Sequence, residues 1–565
     1  MIFYYITIII LSLTTQAHLK CHPEGSILPK PTSLTTSPIF KSSAVNLTST
    51  LDAAISGSIK AGWPVNNVSF SLAVVSAESH KPVWEYHHLA TANTRGTKDI
   101  NRDSQYLIGS ITKVFTVFVL LKSGVSLDAS VTEFLPGLDG DRWKDVSLRM
   151  LASYLSGTPA NYGFSEFYFL KHIFQEYGLP PIEDDEYPPC GVATLNKACT
   201  GQGNKIIDHI NDGTDKRNQT NDLPIPTWLL FSSAWLEEYT GKTFEQLLKE
   251  IVTDPLDMNN TFASPGNDSS AVIPPSDSSW GSDYGINTPA GGLVSSISDL
   301  SKFSHALLSR TLNVTPSEIN GWFKPTAFAG NAYTMSGMPW EILRLPNLIP
   351  NNPHTVTVYS KTGGAQNYRS QLSFVDEYGL AIIVLTAGPM NAAPVLANAV
   401  LSTFIDAADE ISRVQAKRYE GLYRNEGGVV EAVLEHDGDS MVLTSLHRNG
   451  TDIVSSLVDI WWFTLGDFLP EIGPKIRVFP SELRETEGNV TREVWHLWPE
   501  LDTGYETDLP GDMIEEMNCV GWTIQDWVHY GGEPLDRVLV YIDQDGSVVG
   551  FEVPFLRSGI MYLER

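Results

Sequence analysis

The 565-residue sequence predicts a mixed α/β protein that ends in an antiparallel β-domain. Three observations predict this fold class: strand-type alternation around residues 68–88 and 355–386, apolar helical patterns between and after these segments, and a strand-rich tail beyond about residue 410. With 42% apolar and 18% charged residues, the chain is too apolar for disorder and too long for one core. We therefore expect two folded domains.

Changes of pattern along the chain set the predicted domain boundaries. Residues 1–17 form a short apolar block that ends in small residues, which is typical of a secretory signal peptide, and residues 18–45 form a lead rich in Pro, Ser and Thr. We expect the main α/β domain at residues 46–410 and the β-rich domain at residues 415–565. Because the apolar block is shorter than the ~20 residues of a spanning helix, and no later segment qualifies, we predict no membrane anchor.

Strand patterns lie near both ends of the main domain and fill the tail. The first pair is predicted as a hairpin of Val68–Ala77 and Val83–His88. A second set precedes a helix at about 393–408 and comprises Thr355–Lys361, Tyr368–Val375 and Leu380–Thr386. The tail alternates apolar and polar residues around Asp-Gly turns in Val429–Glu435, Met441–Leu446, Val538–Ile542 and Val548–Val553.

Charge and glycosylation motifs indicate the partners and the compartment. A net charge of -28 would repel nucleic acids and anionic membrane surfaces, so we predict neither as a partner. Eight Asn-x-Ser/Thr sequons favour N-glycosylation on a secretory route, namely at Asn46, Asn67, Asn218, Asn259, Asn267, Asn313, Asn449 and Asn489. We therefore expect a secreted protein.

The four cysteines fit an oxidising compartment. Cys190 and Cys199 bracket a short segment with Gly and Asn, and we predict a disulfide between them. Cys21 and Cys519 lie near opposite ends of the chain, and the sequence leaves their pairing open. Free buried thiols are the alternative.

The candidate nucleophile is Ser110, in the run Ser110-Ile111-Thr112-Lys113. The apolar residues that follow, up to Gly124, predict that this run opens a buried helix. Residues three apart share a helix face, so Lys113 would touch Ser110 and could take its proton, provided that burial lowers the pKa of the lysine. The alternative is a helix-capping serine followed by a lysine that extends to solvent.

A second lysine stands at the end of a predicted strand, in the run Lys361-Thr362-Gly363-Gly364. At a strand edge, an extended acyl substrate could lie along backbone donors, whereas the alternative is an ordinary solvated strand end. The 13 histidines form no His-x-His or His-Glu-x-x-His ligand pattern, so we expect no metal and no other cofactor. A Gly-x-Ser-x-Gly elbow is also absent, which argues against the α/β-hydrolase fold.

Six blocks in order carry a family resemblance: YLIGSITKVFTVFVLL, GVSLDASVTEFLPGL, LASYLSGTP, TGKTFEQLLKEIVTDPLDMNNTFASP, INTPAGGLVSSISDLSKF and YSKTGG. They resemble the serine β-lactamase and penicillin-binding-protein family, in particular its class C β-lactamase, esterase and D-peptidase group, over residues 66–408. The lead CHPEG and the tail resemble the secreted β-lactamase-like proteins of filamentous fungi. The resemblance implies an antiparallel sheet flanked by helices, with a helical subdomain.

The resemblance also implies a role for each motif residue. Ser110 would form the acyl-enzyme, Lys113 would deprotonate it, and Lys361 would orient the substrate and stabilise charge. The backbone N–H groups of Ser110 and Gly364 would form the oxyanion hole, with Thr362 and Gly363 beside the substrate. The substrate would be a small ester, amide or lactam.

One family element, a Tyr-x-Asn motif, is absent from the written sequence. The position expected for its tyrosine, from the spacing to Thr240-Gly241, holds Pro224, and Ile225 and Pro226 fill the next two places. Read one base out of frame, codons for the residues from Pro224 onward can encode Tyr-Ser-Asn. We therefore predict a pair of compensating frame slips, with a diverged segment as the alternative.

Three functions fit these observations. The first is a secreted esterase or amidase, because the serine, both lysines and a secretory route are present. The second is an acyl-transferring or cyclising enzyme of fungal metabolite biosynthesis, since a fold does not fix its substrate. The third is a catalytically impaired binding protein, because the proton-transferring tyrosine is missing.

Overall fold

A computed structural model describes residues 22–135, 137–138, 140–156, 171–183, 236, 239–350, 354–388, 392–467, 471–502, 519 and 525–564. The predicted signal peptide, the predicted Cys190–Cys199 disulfide, Asn218 and the place of the missing tyrosine lie outside the described residues.

The chain divides into two compact units. Among the described residues, the first comprises those of Pro31–Leu345 and Val356–Ile411, and the second comprises those of Ser412–Arg565 and Pro346–Thr355 together with residues 22–30. This division lies close to the predicted change at residues 410–415. It differs from the predicted boundaries in two segments. Residues 31–45 belong to the first unit, and the described residues of 346–355 belong to the second.

An antiparallel sheet forms the centre of the first unit. Among the described residues it has eight strands in the order β2-β1-β11-β10-β9-β8-β7-β6. Its first hairpin and its β9-β10-β11 set are the predicted strands, so strands from both ends of the unit meet at the β1–β11 pair. The bounds are β1 Ser69–Ser76, β2 Ser79–His88, β6 Ala327–Phe328, β7 Thr334–Ser336, β8 Glu341–Leu345, β9 Val356–Ala365, β10 Tyr368–Val375 and β11 Leu380–Ala387.

A three-stranded sheet lies beside the motif helix, in the order β3-β5-β4 among the described residues. Its strands are β3 Tyr106–Leu107, β4 Phe262–Ala263 and β5 Leu293–Ser295. The described helices of the first unit include the predicted motif helix α2 and the predicted C-terminal helix α10. The α-helices are α1 Pro38–Ile55, α2 Thr112–Lys122, α3 Gly140–Trp143, α4 Leu148–Ala152, α5 Lys171–Glu176, α6 Phe244–Leu248, α7 Thr288–Gly291, α8 Ile297–Leu308, α9 Pro316–Trp322 and α10 Ala392–Ala416, whose residues from Ser412 onward belong to the second unit.

The helix α1 begins within the segment 18–45 that was predicted as a lead. Pro38 stands in its first turn, where a missing N–H leaves no hydrogen bond unmade. Phe40, Leu47 and Leu51 follow at helical spacing and are buried, and the Phe40 ring lies 5.0 Å from that of Phe404. The Pro and Ser content indicated a lead, but the apolar spacing determines the structure.

The second unit is an antiparallel β-domain, as predicted. Nine of its described strands form one sheet in the order β13-β12-β22-β21-β20-β17-β16-β14-β15, and β13 also pairs with β14, so this sheet closes on itself. The short strands β18 and β19 pair with each other in a separate sheet. The two long strands β16 and β17 pair with each other as a hairpin. The bounds are β12 Gly421–Asn425, β13 Val430–His436, β14 Met441–Arg448, β15 Thr451–Asp452, β16 Glu471–Glu487, β17 Val490–Asp502, β18 His529–Tyr530, β19 Glu533–Pro534, β20 Arg537–Asp543, β21 Val548–Glu552 and β22 Met561–Leu563.

One helix of the second unit, α11 (Ile453–Leu465), lies in the tail that was predicted to consist of strands. Its β-branched and aromatic residues favour strands, but Asp452 caps the helix by accepting a hydrogen bond from Ser455 N, and Leu457, Trp461 and Leu465 are buried four residues apart. Cys519 is disulfide-bonded. No helix among the described residues is long and apolar enough to cross a membrane.

Candidate active site

Ser110 and Lys113 meet where a 3-10 turn, Gly109–Ile111, leads into α2. Their spacing of three residues brings both side chains to the same face, as the sequence predicts. Lys113 Nζ donates a hydrogen bond of 2.8 Å to Ser110 Oγ and another of 2.5 Å to the carbonyl oxygen of Ala290. The lysine is therefore held against the serine from two sides.

Lys113 is buried. It is 8% exposed, and its neighbours along α2, Val114, Phe115 and Val117, are buried as well. Burial, together with the positive charge of Lys361, lowers the pKa of Lys113 well below its ordinary value, and the carboxylate of Glu341 opposes this shift. A lysine with a lowered pKa is neutral more often near neutral pH, which a base that activates a serine requires.

Strand β9 lies directly against the turn that carries Ser110. A Cβ atom added at Gly363 would stand 2.0 Å from the carbonyl oxygen of Ile108, and one added at Gly109 would stand 2.4 Å from Gly364 N. Gly109 also has φ +50°, a conformation that favours glycine. Ser370 Oγ, on β10, donates a hydrogen bond of 2.7 Å to the same Ile108 oxygen. Close approach of two backbones thus requires glycine at these positions.

The backbone of β9 presents a donor to this turn. The pairing of β8 with β9 ends at Glu341 and Ser360, so in the described part of the chain β8 leaves the edge of β9 beyond residue 360 uncovered. On that edge, Thr362 N donates a hydrogen bond of 2.9 Å to the carboxylate of Glu341. Because N–H directions alternate along a strand, the N–H of Gly364 faces the same edge, toward Gly109. Its position is compatible with the oxyanion donor that the family resemblance implies.

Glu341 is a site residue that sequence reasoning missed. It begins β8 and forms an ion pair with Lys361 Nζ, and it accepts hydrogen bonds from both Thr362 N and Thr362 Oγ1, the latter at 3.0 Å. Lys361 Nζ also donates a hydrogen bond of 2.9 Å to the Thr362 carbonyl oxygen. The Lys361 side chain is 5% exposed, and that of Glu341 is 37% exposed. No motif surrounds Glu341, and only its place opposite the strand of Lys361 could have indicated its role.

The described residues of the predicted glycosylation sites lie on the surface. The described sequon asparagines are all exposed: Asn46, Asn67, Asn259, Asn267, Asn313, Asn449 and Asn489. Among the described residues, no group of three or more His, Cys, Asp or Glu side chains could hold a metal ion.

Comparison with known proteins identifies the family. Residues 68–171 and 233–403 match the family described as Beta-lactamase, and residues 412–562 match the one described as Beta-lactamase-like-like, C-terminal domain. A "Beta-lactamase-like protein" of Arthroderma benhamiae is 38% identical over 96% of this chain and 96% of its own length. The chain belongs to the β-lactamase-like family.

Other proteins match the chain at lower identity. "Probable hydrolase M10" of a Phoma species is 24% identical over 84% of this chain and 81% of its own length. Among solved structures, a penicillin-binding protein homologue from Pyrococcus abyssi aligns with 81% of this chain and 96% of its own, at 16% identity and a TM-score of 0.46.

Proposed function

We propose that the protein is a secreted serine hydrolase, an esterase or amidase that works through an acyl-enzyme on Ser110. The hydrogen bond of 2.8 Å between Lys113 Nζ and Ser110 Oγ carries this proposal, because it joins a nucleophile to a base whose pKa burial lowers. Membership of the β-lactamase-like family supports it. The exposed sequons and the apolar N-terminal block support secretion.

In the proposed reaction, neutral Lys113 takes the proton of Ser110 as Oγ bonds to the substrate carbonyl carbon. The oxyanion that forms would accept hydrogen bonds from the N–H groups of Ser110 and Gly364. Lys113 then returns the proton to the leaving alcohol or amine as the acyl bond breaks. A water molecule attacks the acyl-enzyme, gives its proton to Lys113 and releases the acid, and Ser110 Oγ regains the proton.

A fluorophosphonate probe tests the nucleophile. We expect labelling of the full-length protein and none of Ser110→Ala, whose melting temperature should stay within a few degrees, since a serine at a helix start contributes about 1 kcal/mol. Lys113→Ala should also abolish labelling. As the matched control, Ser402→Ala removes an exposed helical serine and should label like the parent. Equal labelling of Ser110→Ala and the parent would show that the nucleophile assignment is wrong.

A second measurement separates hydrolysis from acyl transfer. With 4-nitrophenyl butyrate as substrate, a hydrolase should yield free butyrate even when alcohols or amines are present. Butyryl esters or amides as the main products would indicate an acyltransferase instead. A labelled serine without turnover of any ester, amide or β-lactam would indicate the impaired binding protein.

A further inference from the structure

At the edge of β9 beside Ser110, the carboxylate of Glu341 neutralises the positive charge of Lys361. Three donors converge on its carboxylate: Lys361 Nζ, Thr362 N and Thr362 Oγ1. Lys361 Nζ also donates a hydrogen bond of 2.9 Å to the Thr362 carbonyl oxygen. These are the donors that an anionic substrate group would need at this end of the strand, and a carboxylate of the protein already holds them.

The position of Glu341 places its charge near the reacting atoms. Lys361 and Glu341 both act on the pKa of Lys113, so the pair lies within electrostatic range of the base that contacts Ser110. The Glu341 side chain is 37% exposed, so an incoming ligand can reach it, while solvent weakens its field only in part. A substrate carboxylate at this edge would meet a like charge and would have to displace Glu341 from Lys361.

Arg369, a second cation near this end of the strand, lies on the opposite face of the sheet. Gly363 pairs with Ser370, whose hydroxyl binds Ile108 O on the side of the nucleophile, and Gly364 pairs with Arg369. Because faces alternate, the Arg369 side chain lies on the far face, where Nη1 donates 2.9 Å hydrogen bonds to the Ala365 and Tyr368 carbonyl oxygens. Arg369 therefore does not replace Lys361 as an anion-binding group at the edge.

We propose that Glu341 is a specificity-determining residue that selects uncharged esters and amides and disfavours substrates with a carboxylate near the scissile carbonyl. The inference rests on the proposed hydrolase function and names the substrate class of the same site. Neutral substrates leave the Glu341–Lys361 pair intact, whereas an anionic substrate breaks it. Because Glu341 also raises the pKa of Lys113, replacing it can change the rate on both members of a substrate pair, and the ratio of anionic to neutral turnover therefore isolates substrate choice.

Matched chromogenic esters test the proposal on the full-length protein. One pair places a carboxylate on the acyl group, as mono-4-nitrophenyl adipate against its methyl ester, and the other places it on the leaving group, as 3-butyryloxy-4-nitrobenzoate against its methyl ester. We expect the parent to prefer the neutral member of a pair by tenfold or more in kcat/KM. Glu341→Gln removes the charge while keeping an acceptor for Thr362, and should reduce that preference at least tenfold. Glu341→Asp should retain most of it.

The control is Glu250→Gln, which removes one negative charge from the exposed ion pair with Lys242 and should leave both kcat/KM ratios at the parent's values. Neutral-ester turnover by the parent reports on the proposed function, and the anionic-to-neutral ratio reports on Glu341. Ratios that stay within twofold between the parent and Glu341→Gln, with neutral esters still hydrolysed, would overturn the role of Glu341 alone. No turnover of any ester by the parent would overturn both proposals.

Discussion

Replacing Gly363 with alanine should damage the active site without touching a reacting group. The added Cβ would stand 2.0 Å from the Ile108 carbonyl oxygen and 2.2 Å from Ser370 Oγ. The serine hydroxyl can rotate away, but the Ile108 oxygen belongs to the backbone next to Gly109 and Ser110. Strand β9 and the nucleophile turn must therefore move apart.

The size of this movement follows from the contact. Cβ atoms essentially never approach a heavy atom within 3.0 Å, so a contact of 2.0 Å must open by about 1 Å. Misplacement of a reacting group by about 1 Å can reduce a rate about 100-fold, which corresponds to about 2.7 kcal/mol in the activation free energy. Overpacking itself should cost about 1–3 kcal/mol of unfolding free energy. We expect the loss in kcat to exceed any change in KM, because the N–H of Gly364 moves relative to Ser110.

Hydrolysis of 4-nitrophenyl butyrate, the rate of fluorophosphonate labelling and thermal unfolding should be measured together. The matched control is Gly321→Ala, because a Cβ at this position of α9 meets nothing within 4 Å and alanine favours a helix by about 0.5–1 kcal/mol. It should retain the parent's activity and melt no lower. If Gly363→Ala kept kcat/KM within threefold of the parent, the close contact of β9 with the turn would not position the oxyanion donor.

Two further predictions concern titration and processing. Because burial lowers the pKa of Lys113, the fraction of neutral lysine and kcat/KM should both rise with pH along a limb centred well below the ordinary pKa of 10.5. Between the pKa of Lys113 in the folded chain and its higher pKa in the unfolded chain, the unfolded chain binds more protons, so the free energy of unfolding should also rise with pH in that window. Lys113→Met should abolish this rise. A rise with pH that persists in the variant would exclude Lys113 as its source. Expressed in a eukaryotic secretory host, the protein should begin at His18 and shift on a gel after peptide-N-glycosidase treatment, whereas an unshifted intracellular product that retains residues 1–17 would contradict secretion.

Local patterns predict the parts of the fold and site that depend on neighbours in sequence. The contact of Ser110 with Lys113 follows from helical spacing. Strand β10 has the predicted bounds, and buried and half-buried residues alternate over its first half, Tyr368–Gln371. Glu341 could not be found in this way, since it reaches Lys361 through the register of two strands whose sequence segments carry no shared motif. Helix α11 was missed because tertiary burial of Leu457 and Trp461 outweighs strand propensity.

The last prediction concerns the Tyr-x-Asn motif, whose place lies outside the described residues. The matched ranges of the β-lactamase family end at residue 171 and resume at residue 233, so the interval without a match contains Pro224. The predicted frame slip begins near residues 213–218 and recovers near 235, close to the point where the match resumes. Between these points, the run PIPTWLLFSSAW can encode Tyr-Ser-Asn-Val-Ala-Phe in a shifted frame.

Two compensating slips would preserve the residue count and supply a tyrosine that transfers protons together with Lys113 and Lys361. We expect nucleotide sequencing across residues 210–240 to read Tyr-Ser-Asn in the shifted frame. We also expect the corrected protein to hydrolyse 4-nitrophenyl butyrate faster than the written one, by 100-fold or more if the tyrosine acts as a general acid or base. Replacing that tyrosine with phenylalanine should remove the gain. A nucleotide read that confirms PIPTWLLFSS, with no Tyr-Ser-Asn in an overlapping frame, would refute the slip. Lys113 would then have to carry out every proton transfer without the tyrosine of the Tyr-x-Asn motif.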